Sequence, residues 1–329
     1  MARHVRYYKT GGPEVLQIDE VPTPEPKAGE VRISVRALGL NRAESMYRTG
    51  RYVIEPIFAA TMGYEASGVI DAVGPGVSGL EVGDSVAVIP AFMFDQYGLY
   101  GDLVIAPARA VVKNPAGVSW EAAAATWMPF TTAWGALIDL ADLGKGDFVV
   151  LSAASSSVGL AAMQIADSVG ATPIAITRNG EKVDALRQAG FTHVLQTGLD
   201  DITAEIMRIT GGAGARVVFD PVGGPDFENI VKATSKDAIV FIYGALSHDA
   251  TPVPVLHVLG KHTTIRGYEF IEVTADNEKL ARAKAFITEG LSAGKFSAQI
   301  AKVFLFDEIV EATRFLESNA QFGKIVVKL

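Results

Sequence analysis

The run Asn41-Arg42-Ala43-Glu44-Ser45-Met46-Tyr47-Arg48-Thr49-Gly50-Arg51-Tyr52 gathers an amide, two phenols and three guanidinium groups in one short stretch. Asn41, Tyr47, Arg48 and Tyr52 are donors of the kind that stabilise negative charge developing on a carbonyl oxygen. Arg48 has a second reading, an ion pair with Glu44 at i, i+4 on one helix face, and Tyr52 a second reading as packing. Further on, Val149-Val150-Leu151 leads through Ser152-Ala153-Ala154-Ser155-Ser156-Ser157 into Val158-Gly159-Leu160-Ala161-Ala162-Met163. A strand, a turn of small residues and a helix N-terminus are what a dinucleotide pyrophosphate needs, because backbone N–H groups can approach it unobstructed. Ala154, Ser155, Ser156, Ser157 and Val158 form that cradle, with Gly159 as the close-packing position. The same segment also reads as a plain strand–turn–helix without a ligand. It lacks the Gly-x-Ser-x-Gly elbow of a catalytic serine.

The next strand decides which dinucleotide. It ends in Thr177-Arg178-Asn179-Gly180-Glu181-Lys182. An NAD site places Asp or Glu there, about 20 residues after the loop, whereas a 2′-phosphate calls for a cation. Thr177 stands in the acid's place with Arg178 and Lys182 beside it, so NADPH is expected over NADH. Solvated charges at a helix start are the alternative for both cations.

Composition narrows the chemistry. The 329 residues include no cysteine and five histidines, and 29 basic against 37 acidic residues give a net charge of −8. Disulfides, iron–sulfur clusters, cysteine nucleophiles and thiolate zinc sites are excluded, and no two histidines stand at i, i+4. No metal is expected. The acidic balance gives no reason to expect nucleic acid or an anionic membrane as partner. Phe148 to Ala166 is uncharged but too rich in serine to span a bilayer. With no apolar run after the charged start, a cytoplasmic location is expected.

These segments must be held by two kinds of architecture. Up to about residue 120, short alternations such as Val31-Arg32-Ile33-Ser34-Val35 lie between Gly/Pro turns, as in a small barrel or sandwich. After Asp147, strands at 148–151, 172–177, 193–195, 216–219, 238–243 and 263–266 alternate with helices at 158–169, 181–189, 201–210 and 227–234. That alternation predicts a doubly wound parallel sheet, an α/β fold. A helix over 278–293 and a strand at 323–327 come last, the strand expected to rejoin the first sheet.

The chain as a whole resembles the zinc-free quinone oxidoreductase branch of the medium-chain dehydrogenase/reductase superfamily. The resemblance runs from Gly11-Gly12-Pro13-Glu14-Val15-Leu16 to Gly323-Lys324-Ile325-Val326-Val327, and is most specific in Gly63-Tyr64-Glu65-Ala66-Ser67-Gly68-Val69-Ile70-Asp71-Ala72-Val73-Gly74 and Gly83-Asp84-Ser85-Val86. It implies a GroES-like β-rich catalytic domain over 1–122 and 268–329 and a Rossmann domain over 123–267. Asn41 and Tyr64 stand where zinc alcohol dehydrogenases have Cys and His. The resemblance puts Thr132 beside the nicotinamide and Lys182 at the 2′-phosphate. It places Val222, within Asp220-Pro221-Val222-Gly223-Gly224, and Tyr243 and Gly244 at strand ends that pack on ribose and nicotinamide. Thr197 occupies a position where the branch often has a tyrosine over the phosphate, and serines replace most loop glycines. The stretch 41–52 falls at the substrate cleft.

The resemblance and the residues together imply an oxidoreductase passing hydride from NADPH to an acceptor already electron-poor, a quinone or an α,β-unsaturated carbonyl. Two other readings stay open: an enoyl-thioester reductase, and a non-catalytic NADPH-binding protein of the same fold. Aromatics in 54–58 and 91–97 suit a planar acceptor or an ordinary core. A homodimer joined through Tyr243–Leu259 is implied by the resemblance.

Overall fold

The computed structural model describes residues 1–329. Two compact units emerge: Met1–Met128 with Thr274–Ser292 and Ser297–Leu329, and Pro129–Val273 with Ala293–Phe296.

In the first unit β1 (Ala2–Arg6) pairs antiparallel with β2 (Gln17–Val21). The strand β3 (Glu30–Gly39) alternates as its sequence requires, burying Val31, Ile33, Val35 and Ala37 on one side. After it come α1 (Arg42–Arg48), β4 (Glu65–Val73), β5 (Ser85–Val88), β6 (Leu103–Pro107) and β7 (Val111–Lys113). Then α2 (Trp120–Ala123) starts where the Ser119 hydroxyl accepts from the Ala122 N–H at 3.2 Å, and α3 (Trp127–Trp134) runs on into a π-helical segment over Gly135–Leu140.

The second unit alternates β8 (Phe148–Leu151), α4 (Ser157–Ser168), β9 (Thr172–Thr177), α5 (Gly180–Gln188), β10 (Val194–Gln196), α6 (Ile202–Ile209), β11 (Ala215–Asp220), α7 (Asp226–Lys232), β12 (Thr234–Ile242), α8 (Val255–Lys261) and β13 (Thr264–Gly267). These six strands form one all-parallel sheet in the order β10-β9-β8-β11-β12-β13. Its core joins Val150, Ile174, Val218 and Val240 from the strands to Ile206 and Phe227 from the helices. The uncharged stretch 148–166 is thus β8, a loop and most of α4, and no helix is long and apolar enough to cross a membrane.

Beyond α9 (Ile271–Thr274) and α10 (Asn277–Ser292) the chain adds β14 (Ile300–Leu305), α11 (Ile309–Glu317) and β15 (Lys324–Lys328) to the first unit. There the strand order is β14-β15-β3-β4-β5-β7, with β6 also on β3, and β15 lies antiparallel to β3.

Strands expected at 148–151 and 172–177 form over those residues. Two expectations shift by more than one residue. The helix placed at 227–234 stops at Lys232, and the strand placed at 238–243 begins at Thr234. The reason is pairing: Thr234 sits opposite Ala215, and a register irregularity precedes the Val217–Ile239 pair.

Candidate functional site

The strand order of the second unit reverses direction between β8 and β11, and the carboxyl ends there form the crevice in which open α/β sheets bind ligands. The loop leaving β8 turns at Ala153, whose φ of +47° is left-handed for a residue with a Cβ. Ser156 caps α4, its hydroxyl accepting from the Gly159 N–H at 3.1 Å and keeping a proton to donate. Gly159 is required by contact: a Cβ there would lie 2.6 Å from the Ala154 carbonyl oxygen. Ser157 and Val158 open the helix, where N–H groups have no partner within it.

Not every expected loop residue offers a donor. Ala154 is fully buried and gives its N–H to the Ile176 carbonyl at 3.1 Å, and Ser156 gives its N–H to Ala153 at 2.9 Å. Ser155 is buried as well. The cradle therefore narrows to the first turn of α4 and the Ser156 hydroxyl.

At the tip of β9, Thr177 is buried and its carbonyl accepts the Thr197 N–H at 3.0 Å, fixing Thr197 beside it. Arg178 is exposed and Lys182 half-buried one turn into α5. Burial holds the Lys182 ammonium below its usual lysine range, and the nearby Arg178 guanidinium adds to the effect. Two cations at the end of one strand suit a dianionic phosphate, with Glu181 of the same turn next to Lys182 in the chain.

The opposite wall is locked by a carboxylate that sequence reading passed over. Asp220, buried at the end of β11, accepts from the Ser152 hydroxyl, from Val222 N–H at 3.0 Å and from Gly223 N–H at 2.8 Å. Asp preceding Pro-Val-Gly-Gly was the available signal, since two backbone donors follow it in a tight turn. Val222 then accepts the Ser247 N–H at 2.9 Å and Pro221 the Leu246 N–H at 3.0 Å. Gly244 passes so close that a Cβ would meet the Pro221 carbonyl at 2.9 Å. Tyr243 stacks on Phe219 at 3.8 Å with planes 15° apart, and Thr132 is buried on α3. Fit to a dinucleotide thus rests on the cramped turns, the open helix N-terminus and the cation pair.

In the first unit Asn41, Tyr47 and Arg48 lie on or next to α1, but they do not share a task. Asn41 caps the helix. Its N–H and side-chain NH2 donate to Glu44 at 2.6 and 3.2 Å, and its carbonyl oxygen accepts from Lys324 Nζ at 2.5 Å. Lys324 also pairs with Glu65, whose other oxygen accepts the Met128 N–H at 2.6 Å. Glu44, Glu65 and Lys324 are all buried. Burial raises both carboxyl groups, Glu44 to about 7.

Arg48 corrects both sequence readings. Its fully buried guanidinium donates to the Gly11 carbonyl and pairs with Glu317 of α11, so neither an acceptor oxygen nor Glu44 is its partner. The i, i+4 rule failed because the arginine points into the core, where a distant carboxylate meets it.

Tyr47 and Tyr52 do belong together, edge to face at 6.4 Å, in a cluster with Tyr64, Phe92 and Phe94. The Tyr52 and Tyr64 hydroxyls are 3.3 Å apart, and the Tyr64 hydroxyl also donates to the Met93 thioether at 3.7 Å. A thioether is a weak acceptor. Buried Tyr47 receives the Ile57 backbone N–H. Asn41 does not fit a metal: the Lys324 ammonium already occupies its oxygen, and no group of three His, Asp or Glu side chains could hold an ion.

Residues 157–287 match the zinc-binding dehydrogenase family and residues 27–116 the alcohol dehydrogenase GroES-like domain. A quinone oxidoreductase of Pseudomonas aeruginosa is 30% identical over 253 residues, 77% of this chain and 76% of that protein. A solved NAD-dependent alcohol dehydrogenase is similar with a TM-score of 0.88 at 30% identity, covering 99% of both chains. The Escherichia coli quinone oxidoreductase, solved in complex with NADPH, gives a TM-score of 0.89 at 25% identity, covering 99% of this chain and 100% of that one.

Proposed function

The chain belongs to the medium-chain dehydrogenase/reductase superfamily, and from that premise we propose that it is an NADPH-dependent reductase of quinones or α,β-unsaturated carbonyls that works without a metal. The observation that carries the reading is the Arg178–Lys182 pair at the end of β9, where Thr177 stands in place of a ribose-binding acid. It favours the 2′-phosphate although one similar structure is described as NAD-dependent.

Bound NADPH supplies the hydride. The first turn of α4 and the Ser156 hydroxyl bind its pyrophosphate, while Arg178 and Lys182 hold the 2′-phosphate. Thr132, Thr197, Val222, Tyr243 and Gly244 frame the rest of the dinucleotide. On the acceptor side Tyr52 and Tyr64 donate to the oxygen that gains charge, and Tyr47 with Phe94 forms a flat aromatic wall. No Lewis acid is needed when the acceptor is conjugated, because charge spreads to an oxygen away from the carbon reduced. Asn41 acts on this site through the α1 cap.

Steady-state oxidation of NADPH and NADH against quinones, enals, enones and enoyl thioesters, side by side, tests the reading. Turnover of quinones or enones with at least a tenfold preference for NADPH is expected. Preference for enoyl thioesters would move the assignment to that class, and a failure to oxidise either cofactor with any of these acceptors would overturn it.

We also place the protein as a homodimer joined through the β13 edge and α8. That helix buries none of its residues, and Val255, Leu256 and Leu259 are 61%, 82% and 66% exposed. The β13 edge carries unpaired backbone groups ready to extend the sheet.

A further inference from the structure

We propose that Glu44 is a positioning residue for the acceptor site, its carboxylate fastening the helix that carries Tyr47 to the segment that carries Tyr64. The inference rests on the proposed acceptor site. Glu44 is wholly buried, yet each of its oxygens receives two donors. Oε1 accepts from the Tyr64 N–H at 3.1 Å and the Asn41 side chain at 3.2 Å; Oε2 accepts from the Asn41 N–H at 2.6 Å and from the Tyr100 hydroxyl. An ordinary helix cap needs the Asn41 contacts alone. The contacts to Tyr64 and Tyr100 reach across to the start of β4 and to the loop before β6, and so bind together three segments that bear the aromatic cluster.

A carboxylate accepts all four donors at once. Both backbone N–H groups are fixed as donors, so a proton on either oxygen displaces one bond unless the Tyr100 hydroxyl turns to accept. The charged groups that face Glu44 are Lys324, which favours its ionised form, and Tyr100; Glu65 and Arg48 act on Tyr100 in turn. Burial outweighs the donors and lifts the carboxyl to about 7, so the fastening engages across the neutral range.

The test compares wild type, Glu44→Gln and Tyr100→Phe in NADPH oxidation with a quinone, from pH 5.5 to 9. In wild type kcat/KM for the quinone should rise with pH through an inflection near 7. Glu44→Gln should lower that kcat/KM at pH 8 at least tenfold, keep KM for NADPH within twofold and abolish the inflection. Tyr100→Phe withdraws one donor from the charged carboxylate and should move the inflection to higher pH. An inflection that persists in Glu44→Gln, or equal losses for quinone and NADPH, overturns the proposal. If Glu44→Gln does not fold, an inflection unmoved in Tyr100→Phe overturns it instead. Wild-type protein without quinone turnover removes the acceptor-site reading and this inference together, whereas active wild type with an unchanged Glu44→Gln removes this inference alone.

Discussion

Phe94 lies flat against Tyr64, ring centroids 3.8 Å apart and planes inclined by 27°, and the same ring stacks on Tyr47 at 4.7 Å. One side-chain ring thus packs against three tyrosines, Tyr52 at 5.5 Å being the third, and the Tyr52 hydroxyl lies at hydrogen-bonding distance from that of Tyr64. Replacing Phe94 with alanine opens a flat apolar cavity at a stability cost of about 3–5 kcal/mol. Such a cavity binds small apolar rings. Toluene should therefore raise the melting temperature of Phe94→Ala and leave wild type unmoved, and KM for a fused-ring quinone should fall severalfold in the variant relative to a linear enal. Absence of both effects would make Phe94 ordinary core.

Arg178 and Lys182 make a second prediction. A charge-assisted contact to phosphate contributes about 1.5–3 kcal/mol, and about 1.4 kcal/mol is a tenfold change in affinity. Arg178→Ala should raise KM for NADPH roughly tenfold with KM for NADH unchanged, and the NADPH preference of wild type should weaken with added salt. Since burial and Arg178 both lower the Lys182 pKa, KM for NADPH should climb with pH before the ordinary lysine range is reached. Restoring part of that range is a further expectation for Arg178→Ala. Isothermal titration of the two dinucleotides across pH reads each effect.

Much of the second unit could be read from the chain because its signals are local. Strand 148–151, the turn and α4 follow from consecutive residues, and the missing acid at Thr177 is a matter of spacing. The polar core of the first unit could not be read that way. Lys324 meets Asn41 and Glu65 across 283 and 259 residues, and Arg48 meets Glu317 across 269. No periodicity links such positions, so the sequence offers Arg48 only as a donor to the acceptor or as a partner of Glu44, and not as the partner of Glu317. Tyr64 shows the middle case. Its motif marked the place, but its pairing with Tyr52 depends on the loop between them.

The left-handed Ala153 allows a stability test free of the chemistry. An L-residue at positive φ costs about 1–2 kcal/mol, while glycine gains about 0.4–1 kcal/mol of unfolded-state entropy that opposes the relief. Ala153→Gly should therefore stabilise by about 0.5 kcal/mol. Ala185→Gly, inside α5, should instead cost about 1 kcal/mol. Urea unfolding of the two variants would show opposite signs, and a destabilised Ala153→Gly would contradict the strain argument.

The exposed leucines of α8 bear on assembly. Leu256→Asp with Leu259→Asp puts two charges on the face proposed to meet its copy, and burying unpaired charge there is costly. Sedimentation should find the wild type as a dimer and this double variant as a monomer of unchanged secondary structure. A wild-type monomer, or a double variant that still pairs, would rule out this face.

Glu44 also predicts how stability changes with pH, and in a direction opposite to that of most carboxylates. Its folded pKa, about 7, exceeds the ordinary 4.5, so the native state binds the proton more tightly than the unfolded chain does. The contribution is fully present below the ordinary value and is lost as pH rises through 7. At about 1.4 kcal/mol per pKa unit, the loss between pH 4.5 and 7 is about 3 kcal/mol. Glu65, also raised by burial, slopes the same way and remains in Glu44→Gln. The informative quantity is therefore the difference between wild type and Glu44→Gln at each pH, measured by urea unfolding. Wild type should lose stability relative to the variant as pH rises from 5 to 8, even though activity is expected to increase over that range. The carboxylate that holds Tyr64 and α1 together is thus obtained at the expense of folding free energy, and a difference independent of pH would show that Glu44 does not titrate in the native state.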